Sequence, residues 1–236
     1  MVAKRRVVSD NILRVQPPID ILADENRLAS ALAARVASAA AAALAAHGRF
    51  ALAIPGGSVV SLLARGLAAP AAAVNWHVFW TDERRVPLSD PQSNFRLAEA
   101  ELLPKLAGAQ AHPIRGSAAD AENELRPFLP LDLVLLGIGE DGHVASLFPG
   151  NPALRETARL VAEVHAAPKP PPDRVTLTFP VLNAARQILV VAAGAGKAEI
   201  VARAFAPPSD LPVHRLTGSP RWLLDRAAAA RLKECP

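Results

Sequence analysis

The chain has 236 residues, of which 51% are hydrophobic and 20% charged, and its formal net charge at neutral pH is +4. This composition can supply a sizeable core and excludes an intrinsically disordered protein. The basic residues are scattered apart from Lys4, Arg5 and Arg6, without zinc-finger spacing, RNP-like aromatic motifs or a basic helix, so we do not expect nucleic acid as a partner. The mild positive charge favours a small anionic substrate instead.

Cysteine usage and the N-terminal residues favour a cytoplasmic protein. The single cysteine, Cys235, cannot form an internal disulfide, which is compatible with a reducing compartment. The basic residues 1–6 are followed by the polar residues Ser9, Asp10 and Asn11 before any apolar signal segment forms. Residues 29–46 are rich in alanine and include a charged arginine, so we expect a soluble helix there and no membrane partner.

Helical and extended patterns alternate along the chain. In chain order the predicted elements are a helix ending at residue 46, a strand at 50–54, a helix at 59–66, a strand at 74–80, a polar turn at 81–85, a helix at 94–106, strands at 131–136, 174–179 and 187–193, a helix beginning near Lys197 and a final helix at 222–232. Asp24 or Asn26 can cap the first helix, and Ser93 can cap the helix at 94–106. Pro180 ends the strand at 174–179.

This alternation predicts an α/β fold, built from βαβ units with a mostly parallel sheet flanked by helices. The strand at 131–136 contains one polar residue, Asp132, and is typical of a buried central strand. Residues 168–172 contain four prolines and predict a stiff surface loop rather than a linker between domains. We therefore expect a single domain over residues 1–236.

The turn after the central strand carries the strongest functional signal. Glycines at 137, 139 and 142 allow a sharp turn and close approach of a ligand, and Glu140, Asp141 and His143 lie among them. In open α/β sheets, ligands bind beyond the carboxyl ends of the strands. Asp141 and His143 are therefore candidate catalytic residues, and the alternative is an ordinary polar turn with a solvated histidine.

A second glycine turn is a candidate anion site. Gly56, Gly57 and Ser58 lie between a strand and a helix, where backbone N–H groups and the helix dipole favour a phosphate or carboxylate. A tight turn with Ser58 as a simple N-cap is an equally good interpretation. Arg174 at a strand start and Lys197 at a glycine-preceded helix start supply further cations, although either one is also compatible with an ordinary surface charge.

A third polar turn follows the strand at 74–80. Asp82, Glu83 and Arg84 follow a strand end, and Ser93 and Asn94 lie a short loop later, so that acids, an arginine and an amide can bind sugar hydroxyls and an anionic group together. Taken alone, a solvated charged turn is the commoner explanation of such a segment.

Cofactor and metal signatures are absent from the sequence. Five histidines lack the spacing of metal ligands, so we predict no metal site: His47, His77, His112, His165 and His214. No Gly-x-Ser-x-Gly elbow occurs. The only match to a dinucleotide fingerprint, at Gly137, Gly139 and Gly142, would place two carboxylates against a pyrophosphate, so we expect no cofactor.

Together, these turns resemble the 6-phosphogluconolactonases. The matching blocks are residues 55–58, residues 80–87 with Ser93 and Asn94, residues 137–149, and residues 174–176 with Gly196 and Lys197; residues 222–225 are also similar. The resemblance implies a Rossmann-like fold and the cofactor-free hydrolysis of 6-phospho-D-glucono-1,5-lactone, a sugar-phosphate lactone, to 6-phosphogluconate in the oxidative pentose phosphate pathway. The family's first loop usually has a threonine where this chain has Val59, which removes one hydroxyl but no backbone N–H group.

The resemblance also implies roles for individual residues. His143 would be the general base, with Asp141 beside it. Gly57, Ser58, Arg174 and Lys197 match phosphate-handling positions, with Arg84 and Asn94 also in the pocket. A δ-lactone is an activated ester, so a base at neutral pH suffices, and backbone N–H groups of the glycine turn are candidates for stabilising the oxyanion.

Two alternative functions remain open at this point. The related isomerase/deaminases follow their Asp-Gly-His block with Phe-Asn-Glu-Pro, whereas this chain has Ser146, Leu147, Phe148 and Pro149 and so lacks the supporting glutamate. A non-catalytic sugar-phosphate-binding module of the bacterial repressor type carries a helix-turn-helix ahead of this fold, and residues 1–26 are too short for one. The sequence leaves the choice between monomer and dimer open.

Overall fold

A computed structural model describes residues 17–67, 71–206 and 210–232, so the basic residues Lys4, Arg5 and Arg6 and the cysteine Cys235 lie outside the described residues. The strands of the described part are β1 (Ile19–Leu22), β2 (Phe50–Ile54), β3 (Ala71–Ala72), β4 (Trp76–Trp80), β5 (Asp82–Arg84), β6 (Leu106–Ala107), β7 (Gln110–His112), β8 (Leu133–Gly137), β9 (Val161–Val164), β10 (Arg174–Leu177), β11 (Ile188–Ala192) and β12 (Arg221–Asp225). The α-helices are α1 (Glu25–His47), α2 (Ser58–Gly66), α3 (Asn94–Glu101), α4 (Ala118–Leu125), α5 (Phe179–Ala184) and α6 (Ala198–Phe205).

Seven strands form a central sheet in the order β1-β12-β11-β8-β2-β4-β7, and every neighbouring pair in it is parallel. The chain moves outward from β2 through β4 to β7, and then returns to the other side of β2 as β8. The sheet order therefore reverses between β2 and β8, and the carboxyl ends of two such strands border a crevice suited to a ligand. The prediction of an α/β fold with a mostly parallel sheet flanked by helices is confirmed.

A smaller antiparallel sheet, in the order β5-β10-β9, lies beyond the end of β4. Its register places Arg174 opposite Arg84 and Thr176 opposite Asp82. Residues 81–85 were predicted as a polar turn, and that prediction is wrong for β5. Antiparallel pairing with β10, about ninety residues later in the chain, makes this short polar segment extended. As a consequence, the predicted site residues Asp82 and Arg84 of β5 lie beside Arg174 of β10.

The central sheet is buried on both faces, which explains the almost continuous apolar sequence of its strands. Phe50, Leu52 and Ile54 of β2 belong to one core cluster, together with apolar residues of α1 and α2. The alternate residues Ala51 and Ala53 belong to the other cluster, on the opposite face. All five residues of β2 are therefore packed in the core, which fixes the position of the turn at residues 55–57 that follows it.

Helix α1 begins and ends as its sequence predicts. The side chain of Asp24 accepts a hydrogen bond from the backbone N–H of Arg27, so Asp24 rather than Asn26 is the N-cap, and Gly48 ends the helix with a left-handed φ of 77°. Length and composition alone would allow α1 to cross a membrane. Its Leu28 and Leu32 are fully buried in the protein core, as expected for a helix packed on a sheet.

The prediction of a final helix at 222–232 is wrong. Residues 221–225 form β12, between β1 and β11, and turns follow as far as residue 232. Trp222 and Leu224 are buried on one face of the sheet and Leu223 on the other. The local pattern of Trp-Leu-Leu followed by alanines favours a helix, but burial on two faces by distant parallel strands outweighs that preference.

Further boundaries differ from the predictions. The strand predicted over 174–179 ends at Leu177, because Phe179 and Pro180 begin helix α5. The helix predicted over 94–106 ends at Glu101, because Pro104 has no backbone N–H to continue the α-helical hydrogen bonds, and a 3₁₀ turn, Leu103–Lys105, follows. The strand predicted from residue 74 begins at Trp76, since Asn75 has a positive φ of 64° and is therefore not extended.

Candidate functional site

A cleft of about 320 Å³ lies at the crevice between β2 and β8. The predicted site residues that line it are Gly56, Gly57, Ser58, Asp82, Arg84, Asn94, His143, Arg174 and Lys197. Asp141 is not among the lining residues, but it contacts His143 directly. Segments that are as much as 141 residues apart in the chain therefore meet in one place.

The turn after β2 depends on its two glycines. A Cβ atom on Gly56 would lie 1.9 Å from Oδ1 of Asn94, so only glycine allows α3 to begin this close to the turn. Gly57 has a φ of 66°, in the region that favours glycine, and serves as the N-cap of α2 without a side-chain hydrogen bond. Ser58 is the first residue of α2, so its interpretation as a simple N-cap is wrong. Its exposed hydroxyl and the first N–H groups of α2 are available to an anion.

The turn after β8 fixes the ring of His143. Nδ1 of His143 lies 2.5 Å from Oδ1 of Asp141, and the backbone N–H of His143 donates to the same oxygen over 3.2 Å. A Cβ atom on Gly139 would lie 2.1 Å from the imidazole ring, so glycine is required there too. The ring centroid of Phe148 is 4.3 Å from that of His143. Carboxylate, glycine and aromatic ring together leave the imidazole one orientation.

The electrostatic surroundings favour a neutral imidazole beside an ionised carboxylate. Burial lowers the pKa of His143 below its ordinary value, although the hydrogen bond and the charge of Asp141 oppose this shift. Burial alone would raise the pKa of Asp141, but the hydrogen bond and charge of His143 bring it below its ordinary value. An ionised Asp141 can only accept a hydrogen bond, so Nδ1 of His143 carries the proton. Nε2 then has a lone pair with which to take a proton from water.

The backbone of this turn offers less to an oxyanion than the sequence suggests. The N–H of Gly139 donates to the carbonyl of His143, and the N–H of Gly142 donates to the carbonyl of Gly139, both over 2.9 Å. The expectation that the glycine turn supplies oxyanion donors is therefore wrong for these two groups, because they hold the turn closed.

Asp82 links the catalytic turn to the small sheet. It is 5% exposed, and its Oδ2 accepts a hydrogen bond from the hydroxyl of Ser146 over 2.6 Å and lies 4.0 Å from Nη1 of Arg174. The backbone N–H of Ser146 donates in turn to the hydroxyl of Thr176. Asp82 thus balances the buried charge of Arg174 while it faces the cleft.

Glu83, which the sequence grouped with Asp82 as an acid able to bind sugar hydroxyls, is not among the residues that line the cleft and has a structural role instead. Its buried carboxylate accepts hydrogen bonds from the backbone N–H groups of Asn94 and Phe95, each over 2.8 Å, and from the hydroxyl of Ser93. Burial raises the pKa of Glu83 in spite of these bonds, which lower it. Glu83 therefore anchors the start of α3, and Nδ2 of Asn94 donates to the carbonyl of Asp82 over 2.8 Å.

The three predicted cationic residues, Lys197, Arg84 and Arg174, differ in the number of hydrogen bonds that they donate to backbone carbonyls. Nζ of Lys197 donates to the carbonyl of Ile138 over 2.7 Å, and burial lowers its pKa. Nη1 of Arg84 donates to the carbonyl of Gln92. Arg174 is bound most extensively, since its Nε and Nη2 donate to backbone carbonyls of residues 169–171.

Several residues at the cleft were not predicted as site residues, and one of them is charged. Lys169 and Pro170 line the cleft, although residues 168–172 were predicted as a surface loop only. The one sequence signal for this is a lysine flanked by prolines. Among the residues that the structure describes, no group of three or more His, Cys, Asp and Glu side chains is arranged to hold a metal ion.

Comparison with known proteins identifies relatives over almost the whole chain. A family described as glucosamine-6-phosphate isomerases/6-phosphogluconolactonase matches residues 23–224. The 6-phosphogluconolactonase of Rattus norvegicus is 41% identical, covering 91% of this chain and 93% of the rat protein. That of Mycobacterium tuberculosis is 36% identical, covering 91% and 98% of the two chains.

Solved structures with a similar fold include two enzymes of that name. A 6-phosphogluconolactonase from Shewanella baltica superposes with a TM-score of 0.80 at 25% identity, covering 89% of this chain and 97% of the other. One from Trypanosoma brucei has a TM-score of 0.79 at 25% identity, covering 92% and 99%.

Proposed function

The chain belongs to the family of glucosamine-6-phosphate isomerases/6-phosphogluconolactonase, and from this premise we propose that it hydrolyses 6-phospho-D-glucono-1,5-lactone to 6-phospho-D-gluconate in the oxidative pentose phosphate pathway. The observation that carries this activity is the pair formed by His143 and Asp141 at a cleft that also contains an anion-binding turn. Relatives at 34–41% identity bear the name 6-phosphogluconolactonase.

The geometry of His143 supports general-base hydrolysis. Nε2 takes a proton from a water molecule while the water oxygen forms a bond to C1 of the lactone. The bond between C1 and the ring oxygen then breaks, and the imidazolium returns its proton to that oxygen. Asp141, which keeps Nδ1 protonated, stabilises the imidazolium between these two transfers. The resulting acid ionises in solution, so neither a metal nor a cofactor is required.

The phosphate of the substrate supplies binding energy far from C1. The N-terminal turn of α2, with Gly56, Gly57 and Ser58, and the ammonium of Lys197 face the same cleft and would hold this group. Arg174, also expected to handle the phosphate, lines the same cleft, and Asp82, Arg84 and Asn94 would orient the sugar. Binding at this remote group fixes the lactone against His143, which lowers the barrier by orientation.

The surroundings of His143 argue against an isomerase or deaminase. The acid next to its ring is Asp141, two residues earlier, and Ser146 occupies the following segment, where its hydroxyl binds Asp82. The glutamate that supports this histidine in the isomerase/deaminases belongs to that segment, where this chain has no carboxylate.

The remaining features of the protein are expectations of the same proposal. They are a single domain over residues 1–236, a cytoplasmic location, no metal, no cofactor, and neither nucleic acid nor membrane as partner, with a monomer or a dimer equally acceptable.

Activity on the purified protein tests the proposed function. Acid release from the phosphorylated lactone is followed at neutral pH and corrected for spontaneous hydrolysis, with glucosamine 6-phosphate and ammonia release as the parallel assay. We expect lactone hydrolysis well above the spontaneous rate and no ammonia. Ammonia release without lactone hydrolysis would replace the lactonase by a deaminase.

A further inference from the structure

A proline-rich strap, residues 168–172, contributes Lys169 and Pro170 to the lining of the cleft. Its base is closed by a hydrogen bond from the N–H of Ala167 to the carbonyl of Pro172. Arg174 holds it from below, since Nη2 donates to the carbonyl of Lys169 over 2.8 Å and Nε donates to that of Pro171 over 3.1 Å. The guanidinium itself is buried against the ring of Phe148. Proline residues and a buried arginine therefore give the strap a fixed backbone.

The strap carries one charged side chain, that of Lys169. Nζ of Lys169 lies 3.3 Å from Oε2 of Glu140, so an ion pair connects the strap to the turn that carries His143. The side chains of Lys169 and Glu140 are 51% and 74% exposed. Ion pairs this exposed contribute little free energy, so an anion with more charge can displace the carboxylate.

Charges around this pair point to the cleft. Lys169 lines it, and its charge lowers the pKa of both His143 and Lys197, which places the ammonium close to each of them. Glu140 has the opposite effect on Lys197. Lys169 and Lys197 therefore both lie at the cleft, where the charges of Glu140 and Asp141 act on Lys197 and Glu140 is paired with Lys169.

We propose that Lys169 is a further substrate-binding residue, whose ammonium moves from Glu140 to the phosphate of the substrate and binds it together with Lys197. Arg174 then also positions Lys169, because it donates hydrogen bonds to the backbone carbonyls of the strap. A dianionic phosphate offers three oxygens and more charge than one carboxylate, which favours the exchange. The identity of the anion rests on the proposed lactonase function, whereas the exchange itself requires only a phosphate ligand.

Binding measurements test this assignment without catalysis. The dissociation constant of 6-phosphogluconate is measured by calorimetry at low salt for the wild type, Lys169→Met, Lys169→Arg and Glu140→Gln. We expect about 10-fold weaker binding for Lys169→Met, since one charge-assisted hydrogen bond is lost. Lys169→Arg keeps the charge and should stay within about threefold of the wild type, while Glu140→Gln should bind about two- to threefold more tightly.

The matched control is an ion pair of the same type elsewhere. Arg65 lies at the far end of α2 from Ser58, 2.8 Å from Glu25, with side-chain exposures of 48% and 52%. Arg65→Met removes the same charge from the protein and should leave binding unchanged. Equal weakening in Arg65→Met and Lys169→Met, or unchanged binding in Lys169→Met, would overturn the assignment.

Kinetics separate this inference from the proposed function. In Lys169→Met the KM for the phosphorylated lactone should rise by about the same factor as the dissociation constant, with kcat within about twofold. Arg174→Gln should weaken binding less in the Lys169→Met background than in the wild type, and equal effects in both would remove its positioning role. A protein that binds 6-phosphogluconate through Lys169 but hydrolyses no lactone would contradict the proposed function alone. Hydrolysis with no dependence on Lys169 would contradict this inference alone.

Discussion

Two histidine–carboxylate pairs lie at opposite ends of β8. At its carboxyl end, Nδ1 of His143 is 2.5 Å from Asp141, and just before its amino end, Nε2 of His47 is 2.9 Å from Asp132. Each pair joins an imidazole to a carboxylate by one short contact. The local arrangement of a histidine and an acid therefore does not by itself distinguish a catalytic pair from a structural one.

The difference between the pairs lies in what surrounds each carboxylate. Asp132 also accepts a hydrogen bond from the backbone N–H of Ala51 over 2.8 Å and lies 3.3 Å from Nε of Arg186. It therefore connects the end of α1, the β2 strand and the segment before β11. Asp141 instead receives its hydrogen bonds from His143, the ring of which faces the cleft at the switch point of the sheet. Position in the sheet, rather than pairing, indicates which histidine can act on a substrate.

The largest expected effect separates the two histidines. His143→Ala should lower kcat for the phosphorylated lactone by about 10²- to 10⁴-fold, the usual contribution of a general base. His47→Ala should leave kcat within about twofold, because its ring is at the other end of the strand. Steady-state kinetics on both variants test this, with 6-phosphogluconate binding as the check that the cleft is intact. Near-normal kcat in His143→Ala would remove it from the mechanism.

Local sequence patterns predicted some strands of the fold, and contacts between distant segments determined another that the sequence did not predict. Strands β2, β8 and β11 are continuous apolar runs next to glycine turns, and both signals are local, so they were predicted within a few residues. Strand β12 was missed because its conformation is set by two parallel partners, β1 and β11. Neither partner is adjacent to β12 in sequence, and β1 was not predicted. Its own residues favour a helix.

The site residues likewise divide into those identified from local sequence and those placed by contacts with distant segments. His143 and Asp141 are two residues apart, and glycines mark their turn, so both were identified from the sequence. Lys169 was not, since it reaches the cleft only because Arg174 holds the strap from a strand of the small sheet. No pattern within residues 168–172 specifies which way that loop faces. The anchoring role of Glu83 was missed for a similar reason, because its partners belong to the start of α3.

A second comparison concerns two lysines at the two ends of α2. Nζ of Lys197, in the cleft with Ser58, donates to the carbonyl of Ile138 over 2.7 Å, and Nζ of Lys105 donates to that of Ala64 at the other end over the same distance. Lys197→Ala should weaken 6-phosphogluconate binding by about 1.5–3 kcal/mol, the scale of a charge-assisted hydrogen bond.

Lys105→Ala is the matched control for that prediction. It removes an ammonium bound to a backbone carbonyl in the same way, so it should lower the free energy of unfolding while leaving ligand binding unchanged. Unphosphorylated gluconolactone should be turned over no worse by Lys197→Ala than by the wild type. Equal losses on both lactones would show that Lys197 supports the fold rather than the phosphate.

The smallest expected effect concerns the two aspartates and is a change in pH dependence. The neutral form of His143 is the active base, so kcat/KM should fall as the pH decreases through its pKa. Burial lowers that pKa below 6.5, and the hydrogen bond and charge of Asp141 partly oppose the shift. Asp141→Asn keeps an oxygen that can accept from Nδ1 but removes the charge. The pKa of His143 should therefore fall further, and the acid limb of kcat/KM should move to lower pH, with a lower plateau because the imidazolium loses its support.

Asp132→Asn is the corresponding change at the other end of β8. Its amide would face Arg186 and the N–H of Ala51 with one acceptor fewer, so the free energy of unfolding in urea should fall by about 1–3 kcal/mol. The acid limb of kcat/KM should stay where it is in the wild type, since Asp132 does not contact His143. If Asp141→Asn left the acid limb in place or moved it to higher pH, the carboxylate beside His143 would be no more than a structural partner, like the one beside His47.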